Sequence, residues 1–217
     1  EAPERYVHTE LVDTAGRDGA PTRALLMSVK GDYPGDSATT RNELSLFAPI
    51  ENDQAYARYW LKFPAGLAEA FPANSWRMLM EWKEPDSGVN KNTKGGTNNW
   101  RMNIGLRRDP ATGRLFWYVQ GQTVQPLRVN DWTIENRDVP VPEGEWFHLE
   151  VFWRKHPVEG RLWFAVNGRE VCDYRGRTEH GTNPLPLKFW SIFKLYHGVD
   201  WLKSGPTRQW VDDVEIW

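Results

Sequence analysis

A single cysteine, Cys172, in 217 residues excludes an intramolecular disulfide and any zinc site built on cysteines. A lone thiol of this kind is expected as a small core residue rather than a nucleophile. Long apolar runs are also missing, and nothing approaches the ~18 residues of a membrane span. Charge of one sign is missing too. The 27 Lys and Arg nearly cancel the 29 Asp and Glu, leaving −2, so the total offers no pull toward nucleic acid or an anionic bilayer. His8, His148, His156 and His180 are scattered without metal-ligand spacing. No signal peptide opens the chain. Glu1-Ala2-Pro3 reads as a mature or trimmed terminus, which is compatible with export.

Aromatic residues are abundant: 13 Trp, 7 Tyr and 9 Phe. Together with a mean hydropathy of −0.67, they imply a polar surface wrapped on an aromatic core. Trp and Tyr are also the side chains that stack on flat ligand faces such as sugar rings. Length and composition fit one domain over residues 1–217, large enough for a substantial core.

Period-two alternation recurs along the chain, interrupted by Gly, Pro and Asn. Strands are predicted at Arg23–Lys30, Arg41–Phe47, Tyr56–Phe63, Trp76–Glu84, Trp100–Leu106 and Leu115–Gln120. Further strands are predicted at Trp146–Arg154, Arg161–Val166, Glu170–Tyr174, Trp190–Gly198 and Trp210–Trp217. Asp109–Gly113 and Asn167-Gly168 read as hairpin turns. Residues 64–74 suit a short helix or turn. Residues 1–40 read as loop-rich around the strand at Arg23–Lys30, and the polar stretches 85–99, 121–145 and 175–186 as irregular loops. About ten to twelve short strands with almost no helix predict an all-β fold, two antiparallel sheets packed as a sandwich or β-jelly roll.

The strand around Trp190-Ser191-Ile192-Phe193-Lys194-Leu195-Tyr196-His197 is unusual. Alternation sets Phe193 and Leu195 on one face and Ile192, Lys194 and Tyr196 on the other, with His197 opposite Tyr196. Four other segments share the bias. Their non-core faces carry Arg41 and Glu43; Arg58, Trp60 and Lys62; Arg77, Glu81 and Lys83; and Arg101 and Asn103. Trp100 heads its strand as a further stacking candidate. On one common sheet these residues would form a basic, aromatic-spotted groove. Cations there would meet carboxylates, aromatics would meet sugar rings, and amides would meet hydroxyls. The plainer reading is charged residues alternating outward on half-exposed sheets.

The order of Arg23-Ala24-Leu25-Leu26, Arg41-Asn42-Glu43-Leu44, Gly144-Glu145-Trp146, Gly160-Arg161-Leu162-Trp163, Asn167-Gly168, Phe193-Lys194-Leu195-Tyr196 and Val211–Ile216 resembles the heparin-lyase-I-like and glucuronan-lyase-like polysaccharide lyases. Those are concanavalin-like β-jelly rolls. Trp-headed strands, Asn-Gly turns and Asp-Asp-Val occur equally in laminin-G-like sandwiches that only bind. The resemblance implies β-elimination at a uronic acid, with Tyr196 as base, acid or both and Lys194 favouring its phenolate. Arg41, Arg101 and Asn103 then neutralise the substrate carboxylate, and Lys83 and His197 are reserve bases. Related alginate lyases carry Gln-x-His where this chain reads Glu81-Trp82-Lys83, and a carboxylate there repels a uronate unless it is paired.

The implied partner is an acidic polysaccharide met by a secreted or periplasmic monomer, with no nucleic acid, membrane or required cofactor. Asp212 and Asp213 are candidates for a structural calcium with Glu10 or Asp13. Two other functions remain open at this level: a non-catalytic carbohydrate-binding sandwich, and a glycoside hydrolase using Glu43 and Glu81.

Overall fold

The computed structural model describes residues 7–29, 41–46, 53–84, 100–123, 129–179, 189–198 and 207–217. Two antiparallel sheets form a sandwich. The seven-stranded sheet runs β1 (Val7–Ala15), β2 (Pro21–Val29), β13 (Thr207–Ile216), β4 (Gln54–Lys62), β9 (Trp146–Arg154), β10 (Gly160–Val166) and β11 (Arg169–Gly176). The six-stranded sheet runs β3 (Arg41–Leu46), β12 (Phe189–His197), β5 (Trp76–Glu84), β6 (Trp100–Arg108), β7 (Leu115–Thr123) and β8 (Val129–Asn136). A single helical turn, α1 (Leu67–Ala70), follows β4. The all-β sandwich expected from the alternation is the fold observed.

Local chemistry explains the elements. In β4, Ala55, Ala57, Tyr59 and Leu61 are buried while Tyr56, Arg58, Trp60 and Lys62 face outward. In β9, Phe147, Leu149, Val151 and Trp153 point inward in the same rhythm. Asn167 and Gly168 both take positive φ, 50° and 73°, the backbone that a two-residue hairpin needs. Between β6 and β7, the Asp109 carboxylate accepts hydrogen bonds from the amides of Ala111 and Thr112 at 2.9 and 3.0 Å.

Two strands were not visible in the alternation. β1 pairs along its whole length with β2, from Val7 opposite Val29 to Ala15 opposite Pro21. It is an edge strand with little buried on either face, so its sequence lacks a clean apolar period. β8 lies within the stretch predicted to be irregular and is the other sheet's edge.

The core is aromatic and lies between the sheets. Trp117 of β7 meets Phe147 of β9 and Phe164 of β10 edge-on, with centroids 6.2 and 5.3 Å apart. Trp82 of β5 stacks on Trp153 of β9 at 6.2 Å, and Tyr59 of β4 meets Phe193 of β12 at 5.0 Å. Cys172 is buried within this core, and burial pushes its thiol up to about 12, as suits a packing residue.

Bulges change which residues face inward. Met78 lies opposite Gly105 and Met80 opposite Ile104, so Leu79 is an extra residue in β5. The pattern therefore reverses upstream of it. Met78 faces away from the core, and Arg77, predicted on the outward face, is fully buried. Its Nη2 donates to the Arg208 carbonyl and to Gln209 Oε1, each at 2.9 Å, and its guanidinium lies 4.9 Å from the Phe63 ring centroid. Burial lowers its pKa to about 9. In β12, Ser191 pairs with Ser45 and Phe193 with Leu44, so Ile192 is extra there. Ile192 packs in the core, correcting its predicted outward face.

His197, opposite Arg77, is 2% exposed. Its Nδ1 lies 3.2 Å from the Gly198 carbonyl, to which it donates in the neutral form. Burial, reinforced by the Arg77 charge, lowers the imidazole pKa to about 4. The unfolded histidine, with a pKa near ~6.5, takes up its proton first as pH falls. His197 therefore costs no stability above about pH 6.5 and up to about 3 kcal/mol by pH 4. Denaturant titrations between pH 7.5 and 4.5 should show a smaller acid-side loss in His197→Asn than in the wild type. Equal losses would mean that His197 is not the titrating group. Trp117→Ala should lower unfolding free energy by about 3–5 kcal/mol at neutral pH, read from the same titrations.

Candidate functional site

The face of the six-stranded sheet turned away from the core carries the site. Cross-strand pairing arranges its residues in rows. One row places Lys83, Arg101, Gln122 and Asn130 on consecutive strands β5 to β8. The next places Ser191, Glu81, Asn103, Gln120 and Thr133 from β12 to β8. The third places Arg41, Tyr196, Met78, Gly105 and Tyr118 from β3 to β7. A fourth holds Trp76, Arg107 and Phe116. A hollow of about 210 Å³ lies over these rows, lined by Trp76, Met78, Arg101, Arg107, Tyr118, Gln120, Gln122, Asn130 and Tyr196.

Its charged centre is Glu81. That carboxylate is fully buried and accepts from Arg101 Nη1 at 3.0 Å and from Lys194 Nζ. Lys194 is itself 1% exposed. The β5–β12 register passes from Ser191 opposite Glu81 to Tyr196 opposite Met78, with an irregularity between them. Lys194 reaches Glu81 from that irregular patch. One anion thus holds two cations. An isolated buried charge costs several kcal/mol, and mutual pairing offsets that cost. The predicted repulsion between Glu81 and a uronate is met by this pairing.

From Arg101 the polar network continues. Its Nε donates to Gln122 Oε1 at 2.5 Å. Gln122 Nε2 donates to Asn130 Oδ1 and, at 3.5 Å, to Gln120 Oε1. Gln120 Nε2 then reaches Thr133 Oγ1 at 3.4 Å. These bonds fix the side chains across β6, β7 and β8. Asn103, between Glu81 and Gln120, is fully buried, and neither of its amide atoms has a hydrogen-bond partner.

Two phenols line the hollow. Tyr196 is half-buried, with Lys194 Nζ 5.0 Å from its ring centroid and the Trp76 ring edge-on at 4.8 Å. Tyr118 is 2% exposed, with the Arg107 guanidinium 4.6 Å over its ring. Burial pushes its hydroxyl up to about 12, against the lowering effect of Arg107 and Arg101.

The predicted residues therefore separate. Arg101, Glu81, Asn103, Lys194 and Tyr196 share this face. Arg41, Glu43 and Lys83 are in register beside them, opposite Tyr196, Lys194 and Arg101 respectively, but their side chains lie outside the described residues. Arg77 turns into the core at the β5 bulge, and His197 also faces the core. Trp100 belongs to the core cluster, with its Nε1 donating to Asp131 Oδ2 at 3.1 Å.

Arg58 and Trp60 lie on β4 in the other sheet, so the expectation of one sheet carrying all five segments is corrected. There Arg58 pairs with Glu215 at 2.9 Å, and Trp60 lies between Arg17 and His148, 4.7 and 5.3 Å from its ring. Alternation along one strand cannot reveal which sheet that strand joins. Asp212 accepts from Thr22 Oγ1 at 2.9 Å, and Asp213 pairs with Arg17 at 2.5 Å. Among the described residues no three His, Cys, Asp or Glu side chains gather as a metal site.

Trp76, Arg107, Tyr118, Gln120, Gln122 and Asn130 were not singled out in advance. For β7 the signal was present: Phe116, Tyr118, Gln120 and Gln122 alternate with the core residues Leu115, Trp117 and Val119. Trp76 was hidden by the bulge and Asn130 by the weak pattern of an edge strand.

No protein-family model matches this chain, and no curated protein does. Solved structures do. The endo-β-1,4-glucuronan lyase of the fungus Trichoderma reesei superposes with a TM-score of 0.65 at 13% identity, over 97% of this chain and 89% of that one. A variant of alginate lyase Aly36B, in complex with an alginate trisaccharide, gives 0.59 at 12% identity over 89% and 80%. Alginate lyase AlyC3 gives 0.52 at 10% identity over 89% and 74%. The jelly-roll fold of these enzymes is the fold of this chain.

Proposed function

We propose that this chain, folded like the alginate and glucuronan lyases, is a polysaccharide lyase that cleaves a uronic-acid polymer by β-elimination in the hollow over β5, β6, β7 and β12. The observation that carries the reading is the pair of cations, Arg101 and Lys194, held by one buried carboxylate beside Tyr196.

The reaction requires stabilisation of charge that grows on the substrate carboxylate as C5 loses its proton. Arg101, which lines the hollow, meets the uronate carboxylate, and Lys194 behind it adds its positive field. Both cations are held in place, so little reorganisation is needed as the charge develops. Tyr196 stands beside Lys194, whose ammonium is the counter-charge for its phenolate. It takes the C5 proton, the C5–H electrons form the C4–C5 double bond, and the C4–O4 pair leaves on O4, which takes up a proton. Gln122, Gln120 and Asn130 offer amides to sugar hydroxyls, and Trp76 offers an aromatic face. Arg41 and Lys83, in register with Tyr196 and Arg101, are further cationic candidates.

Hydrolysis by Glu81 is disfavoured by the same geometry, because a carboxylate bonded to two cations and closed off from solvent is a poor acid or nucleophile.

Incubation with glucuronan, alginate and heparin should produce the ultraviolet absorbance of the unsaturated uronate for at least one polymer. Retention on an immobilised polymer without that absorbance would replace the lyase reading with simple binding. New reducing ends without it would favour hydrolysis.

Tyr196→Phe should cut kcat by about 10²–10⁴-fold, with retention on immobilised polymer nearly unchanged. Arg101→Ala should lower kcat/KM by about 10–100-fold, the worth of one charged hydrogen bond, and should weaken retention as well, since the ground-state carboxylate contact is lost.

A further inference from the structure

Tyr196 and Tyr118 occupy the two ends of one cross-strand row. Tyr196 on β12 is opposite Met78 on β5, Met78 is opposite Gly105 on β6, and Gly105 is opposite Tyr118 on β7. Neither residue between them can transfer a proton. The reason for a glycine at 105 is geometric. A Cβ there would lie 2.5 Å from the Arg77 carbonyl oxygen and 2.7 and 2.8 Å from Cε1 and Cζ of Tyr118. The hydroxyl-bearing end of the Tyr118 ring therefore already covers β6 and is directed toward β5 and Tyr196. Three strand spacings separate the two tyrosine backbones, ~14 Å, and the Tyr118 ring spans the first. What remains is a slot, floored by Met78, for the Tyr196 side chain and a sugar.

We infer that Tyr118 is a second catalytic residue of this cleft, the acid that protonates the leaving O4 while Tyr196 acts as base from across the slot. The inference rests on the lyase reading and divides its acid and base work between two phenols.

The two environments suit the two roles. Tyr118 is almost fully buried, and its hydroxyl stays protonated, as an acid must. Arg107, 4.6 Å over the ring, stabilises the phenolate left after donation. Tyr196 is more exposed and has Lys194 as its counter-charge. The step balances. The Tyr196 phenolate takes the C5 proton, and the C5–H electrons become the C4–C5 π bond. The C4–O4 pair leaves on O4, which takes the Tyr118 proton. One phenolate is consumed and one formed, and proton return from Tyr196 to Tyr118 through solvent completes the cycle.

The test pairs two substrates with two variants. One substrate is the uronate polymer that the wild type cleaves. The other is the matching uronate with 4-nitrophenolate as the leaving group at C4, which departs without a proton. Tyr118→Phe keeps the ring over Gly105, and its near-ultraviolet circular dichroism and Tm should match the wild type. Its kcat on polymer should fall by about 10²–10⁴-fold, while its rate on the nitrophenolate substrate stays near that of the wild type. Tyr196→Phe should be slow on both. Wild-type turnover of polymer by Tyr118→Phe, or equal losses on both substrates, would overturn the assignment and leave the lyase reading standing. A wild type that forms no unsaturated product from any uronate polymer ends the lyase reading and this inference with it.

Discussion

Glu81 holds Arg101 of β6 and Lys194 of β12 from a position on the strand between them. Glu81 and Lys194 are removed from water at one point of the sheet, and Arg101 beside them is 14% exposed. Each alone would cost several kcal/mol to bury, and together they survive because every charge has a partner. A pairing of this kind contributes little net stability compared with apolar side chains of similar volume. What it does is orient: the cations from the two flanking strands cannot move apart without stranding a buried carboxylate. The amide chain through Gln122, Gln120 and Asn130 extends that fixed geometry to β8, and Tyr196 is placed beside Lys194 by the same strand.

Two extra residues shape everything around this centre. Leu79 in β5 and Ile192 in β12 each shift their strand's alternation by one. Without the first, Arg77 would face the cleft and Met78 the core. With it, Met78 becomes the floor between two phenols, and Arg77 is buried against the Arg208 carbonyl and Gln209. Ile192 supplies core packing where the strand would otherwise turn it outward, so Lys194 and Tyr196 remain together on the cleft face.

The seven-stranded sheet shows that cations and aromatics on a sheet face do not by themselves make a site. Lys62 lies 5.9 Å from the rings of both Trp146 and Trp210, and Arg58 lies 5.2 Å from that of Trp217. These are cross-strand contacts that satisfy one another. A hollow of about 440 Å³ lies over Arg17, Arg58, Trp60, His148 and Glu215 on that sheet, but no tyrosine lines it, whereas two phenols line the hollow of the six-stranded sheet.

The chain's alternation was sufficient to show an all-β sandwich, because period two with turn residues between strands has few other packed solutions. It also marked Glu81, Arg101, Asn103, Lys194 and Tyr196 as sharing the outward sense of their strands. The edge strands β1 and β8 escaped because an edge has little to bury and so leaves little apolar period. Sheet membership of β4, the reversal at Leu79 and the burial of Arg77 were decided only in three dimensions. Pairing partners are chosen by the whole fold, and one extra residue flips every side chain upstream of it. The row from Tyr196 to Tyr118 joins residues 78 positions apart through a methionine and a glycine. Nothing along the chain links those residues; the cross-strand register alone does.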